Sequence, residues 1–139
     1  MVSKITLKDE NIFYELGILV NPNFKKLFNL EDILSSSNDY LIGYYDKEKL
    51  TAFLHFTKSF EVIDIVNIVV APVYRRQGIS TKLINEILTM FDDIKEIMLE
   101  VNEKNIPAIN LYQKNNFKEI YRRKKYYGEE DALIMKRDV

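Results

Sequence analysis

The chain contains no cysteine, and this absence excludes several kinds of chemistry. Without cysteine a protein cannot form disulfides, attack a substrate with a thiol or bind a metal through thiolates. Its single histidine, His55, rules out a histidine-cluster metal site and argues against a Ser-His-Asp triad. Because His55 lies inside the apolar segment 50–56, we interpret it as a structural residue. We therefore expect no metal site.

A strong net charge and long apolar runs are also missing. The formal net charge of −1 argues against a dedicated nucleic-acid-binding protein. No segment approaches the ~20 consecutive apolar residues that span a bilayer, and the N-terminus lacks the apolar core of a signal peptide. We therefore expect a cytoplasmic protein without membrane or direct nucleic-acid partners. Its 139 residues, 47% of them hydrophobic, suffice for a single domain over residues 1–139.

The segment from Ile63 to Leu88 contains the most informative pattern. β-Branched residues dominate positions 63–70, which is typical of a strand buried on both faces. Pro72 ends this strand because proline has no N–H to donate. Apolar residues then recur at the spacing of an amphipathic helix, at Leu83, Ile84, Ile87, Leu88 and Phe91. The segment therefore predicts a strand, a short loop containing Gly78, and a helix.

The loop before this helix has two interpretations. Unpaired N–H groups and the helix dipole make a helix N-terminus suitable for a phosphate or pyrophosphate. Gly78 would let the backbone approach such a ligand closely, while Arg75 and Arg76 add positive charge. The alternative is an ordinary strand-to-helix connection in which Ser80 or Thr81 is the N-cap. The loop alone does not decide between the two.

The remaining pattern predicts a mixed α/β fold with a central sheet of about seven strands flanked by helices. Asp9 is a candidate cap for a helix from Glu10 to about Val20, and Asn105 for a helix that ends at Asn115–Asn116. The other predicted strands are Lys4–Leu7, Tyr40–Tyr45, Leu50–Phe56, Glu96–Val101, Phe117–Tyr127 and Asp131–Lys136. Because a helix connects 63–70 to 96–101, we expect those two strands to be parallel.

Glu100 and Tyr112 are further candidate functional residues. Glu100 lies between Leu99 and Val101 in a predicted strand, where it could be a solvated side chain or could line a groove. Tyr112 lies near the end of the next helix, where it could be a half-buried aromatic with its hydroxyl in water. Periodicity alone leaves both alternatives open.

The loop motif Arg75-x-x-Gly78-x-Ser80 resembles a segment of the GNAT superfamily of N-acetyltransferases. That segment reads Arg/Gln-x-x-Gly-x-Gly/Ala and grips the pyrophosphate of acetyl-coenzyme A. Ser80 departs from the usual residue at its position, but it is also small. We therefore expect the site to be retained, with at most reduced tightness.

A second motif resembles the same superfamily. The family pattern Asn-x-x-Ala-x-x-Leu-Tyr-x-x-x-x-Phe is matched, with its spacing, by Asn105, Ala108, Leu111, Tyr112 and Phe117. Within the superfamily, the chain is most similar to the bacterial ribosomal-protein alanine N-acetyltransferases, which acetylate the N-terminal amine of a small-subunit ribosomal protein. This similarity is carried by the segments Leu99–Val101, Ala108–Tyr112, Arg122–Tyr127 and Asp131–Met135.

The resemblance implies that acetyl-coenzyme A is the cosubstrate and lies between two central parallel strands that splay apart, here 63–70 and 96–101. Backbone groups of Ile68, Val69 and Val70 would pair with the pantetheine arm, and Asn105 would touch the cofactor from the far side. The pyrophosphate would be held by the loop residues Arg75, Arg76, Gln77, Gly78, Ile79, Ser80 and Thr81.

The resemblance further implies direct acetyl transfer to a primary amine. Glu100 would be the base, directly or through one water, and Tyr112 the phenol that serves the departing thiolate. The N-terminal α-amine of a ribosomal protein is the first candidate acceptor. The alternatives are a small-molecule amine or polyamine acetyltransferase, and a non-catalytic acyl-coenzyme A-binding domain. The sequence leaves open whether the protein is a monomer or a homodimer.

The basic segment Arg122–Lys125 also has two interpretations. Lysines and arginines on an edge strand can simply block unwanted pairing with other chains. They could instead form a rim that orients the acceptor or the phosphates of the cofactor.

Overall fold

The computed structural model describes all 139 residues and has a mixed α/β fold. The strands are β1 (Val2–Lys4), β2 (Asp39–Asp46), β3 (Lys49–Ser59), β4 (Val62–Val70), β5 (Glu96–Asn102), β6 (Lys118–Tyr127) and β7 (Glu130–Asp138). The helices are α1 (Glu10–Gly17), α2 (Phe24–Leu27), α3 (Leu30–Ser35), α4 (Ile79–Met90) and α5 (Ile106–Lys114). None of these helices combines the length and the apolar composition that crossing a bilayer requires.

The strands form one seven-stranded sheet in the order β1-β2-β3-β4-β5-β7-β6, which confirms the predicted fold class. The chain divides into two compact units. The first unit comprises Met1–Lys58 and Val66–Asp92, and the second comprises Ser59–Ile65 and Asp93–Val139. The assignment of residues 1–139 to a single domain stays a prediction.

In the first unit, β1, β2 and β3 are antiparallel neighbours, as the predicted hairpin over β2 and β3 requires. The core of this unit is aromatic: the ring of Phe13 lies 4.7 Å from that of Phe53 and 5.4 Å from that of Phe24. Gly17 ends α1 directly against the Phe24 ring, and a Cβ added at this glycine would lie 2.1 Å from Cδ1 of Phe24. The close approach of α1 and α2 therefore depends on the missing side chain.

The predicted extension of the first helix to Val20 is wrong, because α1 ends at Gly17. The segment Ile18–Val20 continues the apolar pattern, but its three side chains are about half exposed, at 53%, 49% and 51%. The chain has to turn after Gly17 for Phe24 to pack against it, so this apolar segment lies outside the core.

The predicted first strand and its neighbouring cap are also corrected. β1 covers Val2–Lys4 rather than Lys4–Leu7, because residues 7–9 form a 3-10 turn instead. Thr6 caps this turn by accepting a hydrogen bond from the Lys8 N–H, and the Asp9 carboxylate accepts one from the Thr6 N–H. Asp9 therefore stabilises the turn and makes no side-chain cap for α1.

Burial of β4 on both faces is a third expectation that the structure contradicts. Ile63 and Val69 are buried, whereas Asp64 and Val66 are exposed. This period of two shows that one face of the strand packs into protein and the other is open. The run of β-branched residues predicted the strand correctly but not its open face.

The second unit contains the parallel pair that the sequence predicts. β4 and β5 pair in parallel from Val62–Glu96 to Asp64–Met98, whereas β7 is antiparallel to both β5 and β6. Asn105 caps α5, as expected, by accepting a hydrogen bond from the Ala108 N–H at 3.3 Å. Asn116 follows the helix with φ of 69°, the left-handed conformation that asparagine was expected to allow.

Candidate active site

The loop between β4 and α4 is anchored to the end of the strand in the first unit. After Val70 the chain makes a 3-10 turn at Pro72–Tyr74, and the Arg75 Nε then donates a hydrogen bond to the Val70 carbonyl at 3.0 Å. The Tyr74 hydroxyl donates to the Asp46 carboxylate at 2.8 Å. These bonds fix the start of the loop and leave its later residues facing solvent.

Gly78 is the N-cap of α4 and has a φ of 77°, in the left-handed region that favours glycine. A Cβ added at Gly78 would meet nothing within 4 Å, so the space in front of it is open. The alternative in which Ser80 or Thr81 is the N-cap is wrong, since both residues lie inside the first turn and no side chain caps the helix. The left-handed turn at Gly78 starts the helix two residues earlier than a Ser80 cap would.

The first turn of α4 therefore presents N–H groups without helical acceptors. The Lys82 N–H bonds to the Gly78 carbonyl at 3.1 Å, which closes the first turn of the helix. The preceding N–H groups, those of Ile79, Ser80 and Thr81, have no acceptor within the helix. The Ile79 side chain is 4% exposed and anchors the turn in the core, whereas the preceding Gly78 is exposed.

The charge around this turn is positive. Arg75, Arg76 and Gln77 are exposed, and neither arginine is paired with a carboxylate. The Gln77 side chain donates to the Val73 carbonyl at 3.4 Å. With the helix dipole, this arrangement favours an anion at the start of α4.

The end of β4 is held by one buried side chain. Val69 is 4% exposed and belongs to the core of the first unit, whereas its neighbours Ile68 and Val70 are half-buried. The predicted contact of these three residues with the pantetheine arm remains untested.

In the second unit, Glu100 lies on β5 between the buried Leu99 and Val101 and opposite Ile134 of β7. The Glu100 side chain is half-buried on the other face of the strand. Its Oε1 accepts a hydrogen bond from the Tyr127 hydroxyl at 3.1 Å. Glu100 is therefore neither fully solvated nor part of the core.

Tyr112 lies near the end of α5, and its side chain is 8% exposed. Its ring packs edge-on against Phe117 with 5.8 Å between the ring centroids. Burial raises the pKa of the Tyr112 phenol to about 12. Its hydroxyl makes no hydrogen bond within the protein. Tyr112 is thus a neutral donor whose hydrogen bond is available to a ligand.

Three other candidate residues have structural contacts. His55 is 3% exposed and its Nε2 lies 2.6 Å from the Asp39 carboxylate, as expected of a structural histidine. Asn105 caps α5, and its contact with the cofactor remains a prediction. In the basic segment, Arg122 pairs with Glu119 at 3.3 Å and with Asp131 at 3.5 Å, which favours a structural role for that arginine.

Residues 8–117 match the sequence model of the acetyltransferase (GNAT) family. The chain belongs to the GNAT family. The matched range contains the loop 75–81, Glu100, Asn105 and Tyr112. The resemblance inferred from the two motifs is therefore confirmed.

Two of the relatives that match this chain are named as N-alpha-acetyltransferase and ribosomal protein alanine N-acetyltransferase. An N-alpha-acetyltransferase of Saccharolobus solfataricus is 46% identical over 77 residues, which cover 52% of this chain and 46% of the relative. The ribosomal protein bS18-alanine N-acetyltransferase of Escherichia coli K12 is 33% identical over 93 residues, 63% of each chain. The alignment spans about half the length of the archaeal relative, so similarity of the whole proteins is not implied.

Solved GNAT structures share the fold over the full chain. The crystal structure of the Escherichia coli ribosomal-protein-S18-alanine N-acetyltransferase aligns with a TM-score of 0.83 and 23% identity, covering 100% of this chain and 93% of that one. A GNAT acetyltransferase from Elizabethkingia anophelis with acetyl-CoA bound aligns with a TM-score of 0.80 and 21% identity, covering 100% and 97%. At these identities the likeness establishes the fold.

Sequence reasoning missed the contact between Glu100 and Tyr127. Tyr127 lies in the exposed, basic segment of β6, where nothing in the residue spacing points to a glutamate 27 positions earlier. Only the pairing of β5, β7 and β6 brings the two side chains together. A register prediction for the last hairpin would have been needed to find it.

Proposed function

We propose that this GNAT protein is an acetyl-CoA-dependent N-acetyltransferase that transfers the acetyl group directly to a primary amine, foremost the N-terminal α-amine of a protein. The observation that carries the proposal is the open turn at Gly78, with free N–H groups behind it, in a chain of this family. The relatives named for N-terminal acetylation and the acetyl-CoA-bound neighbour support it.

The loop residues fit a diphosphate group. The N–H groups of Ile79, Ser80 and Thr81 point out of the first turn of α4, and no Cβ at position 78 blocks their approach. Arg76 has a left-handed φ of 64° and an unpaired, exposed guanidinium that can neutralise a second charge. We propose that residues 75–81 bind the pyrophosphate and that the backbone of Ile68–Val70 binds the pantetheine arm.

When bound, acetyl-CoA supplies a thioester, whose C–S bond breaks as the new C–N bond forms. The attacking nitrogen must lose a proton, and we assign its removal to Glu100, directly or through one water. A carboxylate base can deprotonate an α-amine acceptor more readily than the side-chain amine of a lysine acceptor. An α-amine with a pKa of ~8 is about one-tenth neutral at pH 7, whereas a lysine amine with a pKa of ~10.4 is almost entirely charged.

We assign Tyr112 to the departing thiolate. Because the pKa of Tyr112 is raised to about 12, well above the ~8.5 of an ordinary thiol, complete transfer of its proton to a thiolate would be uphill. The phenol would instead donate a hydrogen bond that stabilises the thiolate as it forms. This assignment refines the role that the sequence implies.

An acceptor panel tests the proposal. The purified protein would be mixed with acetyl-CoA and one of three amines: a peptide with a free N-terminal alanine, the same peptide N-terminally blocked but containing lysine, or a polyamine. We expect mass spectrometry to show acetylation of the free N-terminus alone. Preference for the polyamine would replace the protein acceptor with a small molecule. Saturable acetyl-CoA binding without turnover on any amine would make the protein a non-catalytic acyl-CoA-binding domain.

The proposal also implies where the reaction takes place and which kind of acceptor the enzyme meets. A ribosomal-protein acceptor, as named for the Escherichia coli relative, would place the reaction in the cytoplasm. The acceptor would then meet the enzyme as a protein chain with a free N-terminus. The enzyme itself would act as a monomer or a homodimer.

A further inference from the structure

The contact between Tyr127 and Glu100 lies entirely within the second unit. The Tyr127 hydroxyl donates to Oε1 of Glu100 at 3.1 Å, and the carboxylate has no other hydrogen-bond donor in the structure. Tyr127 belongs to β6, which pairs with β7 and not with β5, the strand of Glu100. Its side chain therefore reaches across β7, and an irregularity in β6 explains how.

This irregularity is a bulge of three residues. Arg123 pairs with Ala132, and the next pair is Tyr127 with Glu130, so residues 124–126 of β6 face one residue of β7, Asp131. If the register continued without the bulge, Glu130 would pair with Lys125 rather than Tyr127. The extra residues place a tyrosine where an uninterrupted hairpin would place a lysine.

The bulge is held by a buried carboxylate. Asp131 is 9% exposed, and its Oδ1 accepts a hydrogen bond from the Lys125 N–H at 2.9 Å. Lys125 has a φ of 52°, a conformation that non-glycine residues seldom adopt. The Lys124 Nζ lies 3.7 Å from the other oxygen of Asp131. Lys124 and Lys125 therefore both contact this carboxylate, the first through its side chain and the second through its backbone N–H.

The end of the hairpin is also tied to the end of β5. The Asn102 Nδ2 donates to the Glu130 carboxylate at 2.8 Å. The Glu103 N–H donates to the Asp131 carbonyl at 3.0 Å, and the Asp131 N–H donates to the Glu103 carboxylate. The backbone of Tyr127 pairs with Glu130, and its hydroxyl donates to Glu100. These hydrogen bonds between the hairpin and the end of β5 therefore hold Tyr127 and Glu100 in place relative to each other.

We propose that Tyr127 is a positioning residue for Glu100: its hydroxyl occupies Oε1 and fixes the carboxylate so that Oε2 receives the proton of the amine. The inference rests on the proposed role of Glu100 as base. Burial, and then the charge and hydrogen bond of Glu100, raise the pKa of Tyr127 to about 12. Tyr127 therefore remains a donor throughout the pH range in which an amine acceptor is attacked.

A titration tests the contact without any substrate. The protein would be labelled with ¹³Cζ-tyrosine, and the Tyr127 signal would be assigned by its loss in Tyr127→Phe. Between about pH 8 and 11 we expect this signal to stay protonated in the wild type and to begin titrating in Glu100→Gln, where the negative charge is gone. Identical titration in both proteins would overturn the contact.

A double-mutant cycle tests the positioning role. Tyr127→Phe keeps the ring and removes only the hydroxyl, so we expect kcat to fall roughly 10-fold while KM for acetyl-CoA stays unchanged. In the Glu100→Gln background the same substitution should have no further effect, because the carboxylate it positions is absent. Tyr126→Phe is the matched control and should retain wild-type kinetics.

The outcomes separate the two proposals. If the effects of the two substitutions multiply independently, Tyr127 does not act through Glu100 and the inference is wrong. A change confined to KM for the acceptor would equally contradict it. If the wild type acetylates no amine, the proposed function fails and the catalytic role of Tyr127 fails with it. The titration would still decide whether Tyr127 holds Glu100.

Discussion

At the scale of single residues, Tyr112 combines a buried ring with a hydroxyl that bonds to no protein group. Tyr112→Phe should therefore leave the free energy of unfolding nearly unchanged, since the ring still packs against Phe117. We expect kcat to fall roughly 10- to 100-fold, the effect of one hydrogen bond to a charged group, with acetyl-CoA affinity unchanged. Initial-rate assays measure kcat, titration calorimetry measures the acetyl-CoA affinity, and urea denaturation measures the free energy of unfolding. Loss of cofactor binding would show that Tyr112 is structural instead.

The buried His55 and the half-buried Asp39 form a pair whose contribution to stability should depend on pH. Burial acts to raise the pKa of Asp39, but hydrogen bonds with Ser36 and His55 and the charge of His55 outweigh it and lower the pKa. A lowered pKa contributes stability above the unfolded value of ~3.9, and this contribution is lost as the pH falls through the folded value. Asp39→Asn should therefore flatten the acid side of the stability curve.

The same substitution should also cost stability at neutral pH. The Nδ1 of His55 is already buried without a hydrogen-bond partner, and Asp39→Asn also removes the carboxylate that lies against its Nε2. We expect a loss of about 1–3 kcal/mol at pH 7, measured by urea denaturation. Asp92→Asn, at an exposed position two residues after the end of α4, is the control and should leave the stability at pH 7 unchanged. An unaltered acid limb in Asp39→Asn would contradict the assignment.

At the scale of elements, the loop before α4 can be tested with two glycines. Gly78 and Gly128 have φ of 77° and 80°, and a Cβ at either would meet nothing within 4 Å. Leucine at either position should therefore cost a similar ~1–2 kcal/mol of backbone strain. Only Gly78→Leu should weaken acetyl-CoA binding, by roughly 10-fold or more in titration calorimetry. Equal affinities in the two variants would remove the loop from the cofactor site.

The elements that the sequence predicts best are those whose pattern and caps agree. The parallel pair of β4 and β5 and the Asn105 cap follow from local signals, and both are confirmed. Ile18–Val20 could not be assigned correctly, because its exposure depends on the packing of Gly17 against Phe24. The bulge opposite Asp131 was equally hidden, because pairing register is not a property of one strand. The features that the sequence did not predict are therefore those that depend on tertiary contacts.

For the whole molecule, binding of acetyl-CoA to the folded state should raise the melting temperature. A ligand at 100 times its dissociation constant adds about 2.7 kcal/mol of stability. For a chain of this size that corresponds to a shift of roughly 10 °C, measured by calorimetry or dye binding. Acetyl-pantetheine lacks the pyrophosphate that residues 75–81 are proposed to bind and is expected to shift the melting temperature far less. Equal shifts with both compounds would show that the pyrophosphate is not recognised.

The family of the whole chain was predictable, whereas the acceptor was not. Two motifs in the right order, one around Gly78 and one from Asn105 to Phe117, are specific enough to indicate the GNAT family from the sequence alone. The candidate base and phenol followed from the same motifs. The first 45 residues carry no such motif, because their packing uses ordinary apolar side chains such as Phe13 and Phe24. Acceptor choice therefore has to be measured.

The contact between Gly17 and Phe24 has a consequence for the natural variation of this protein. Because a Cβ at position 17 would overlap a ring enclosed in the core, saturation mutagenesis should recover only glycine there. Gly128 faces open space, so its codon should also tolerate asparagine and aspartate, which adopt positive φ at lower strain. A smaller residue at 24 should in turn rescue alanine at 17. Homologues that lose the glycine should therefore lose the phenylalanine with it.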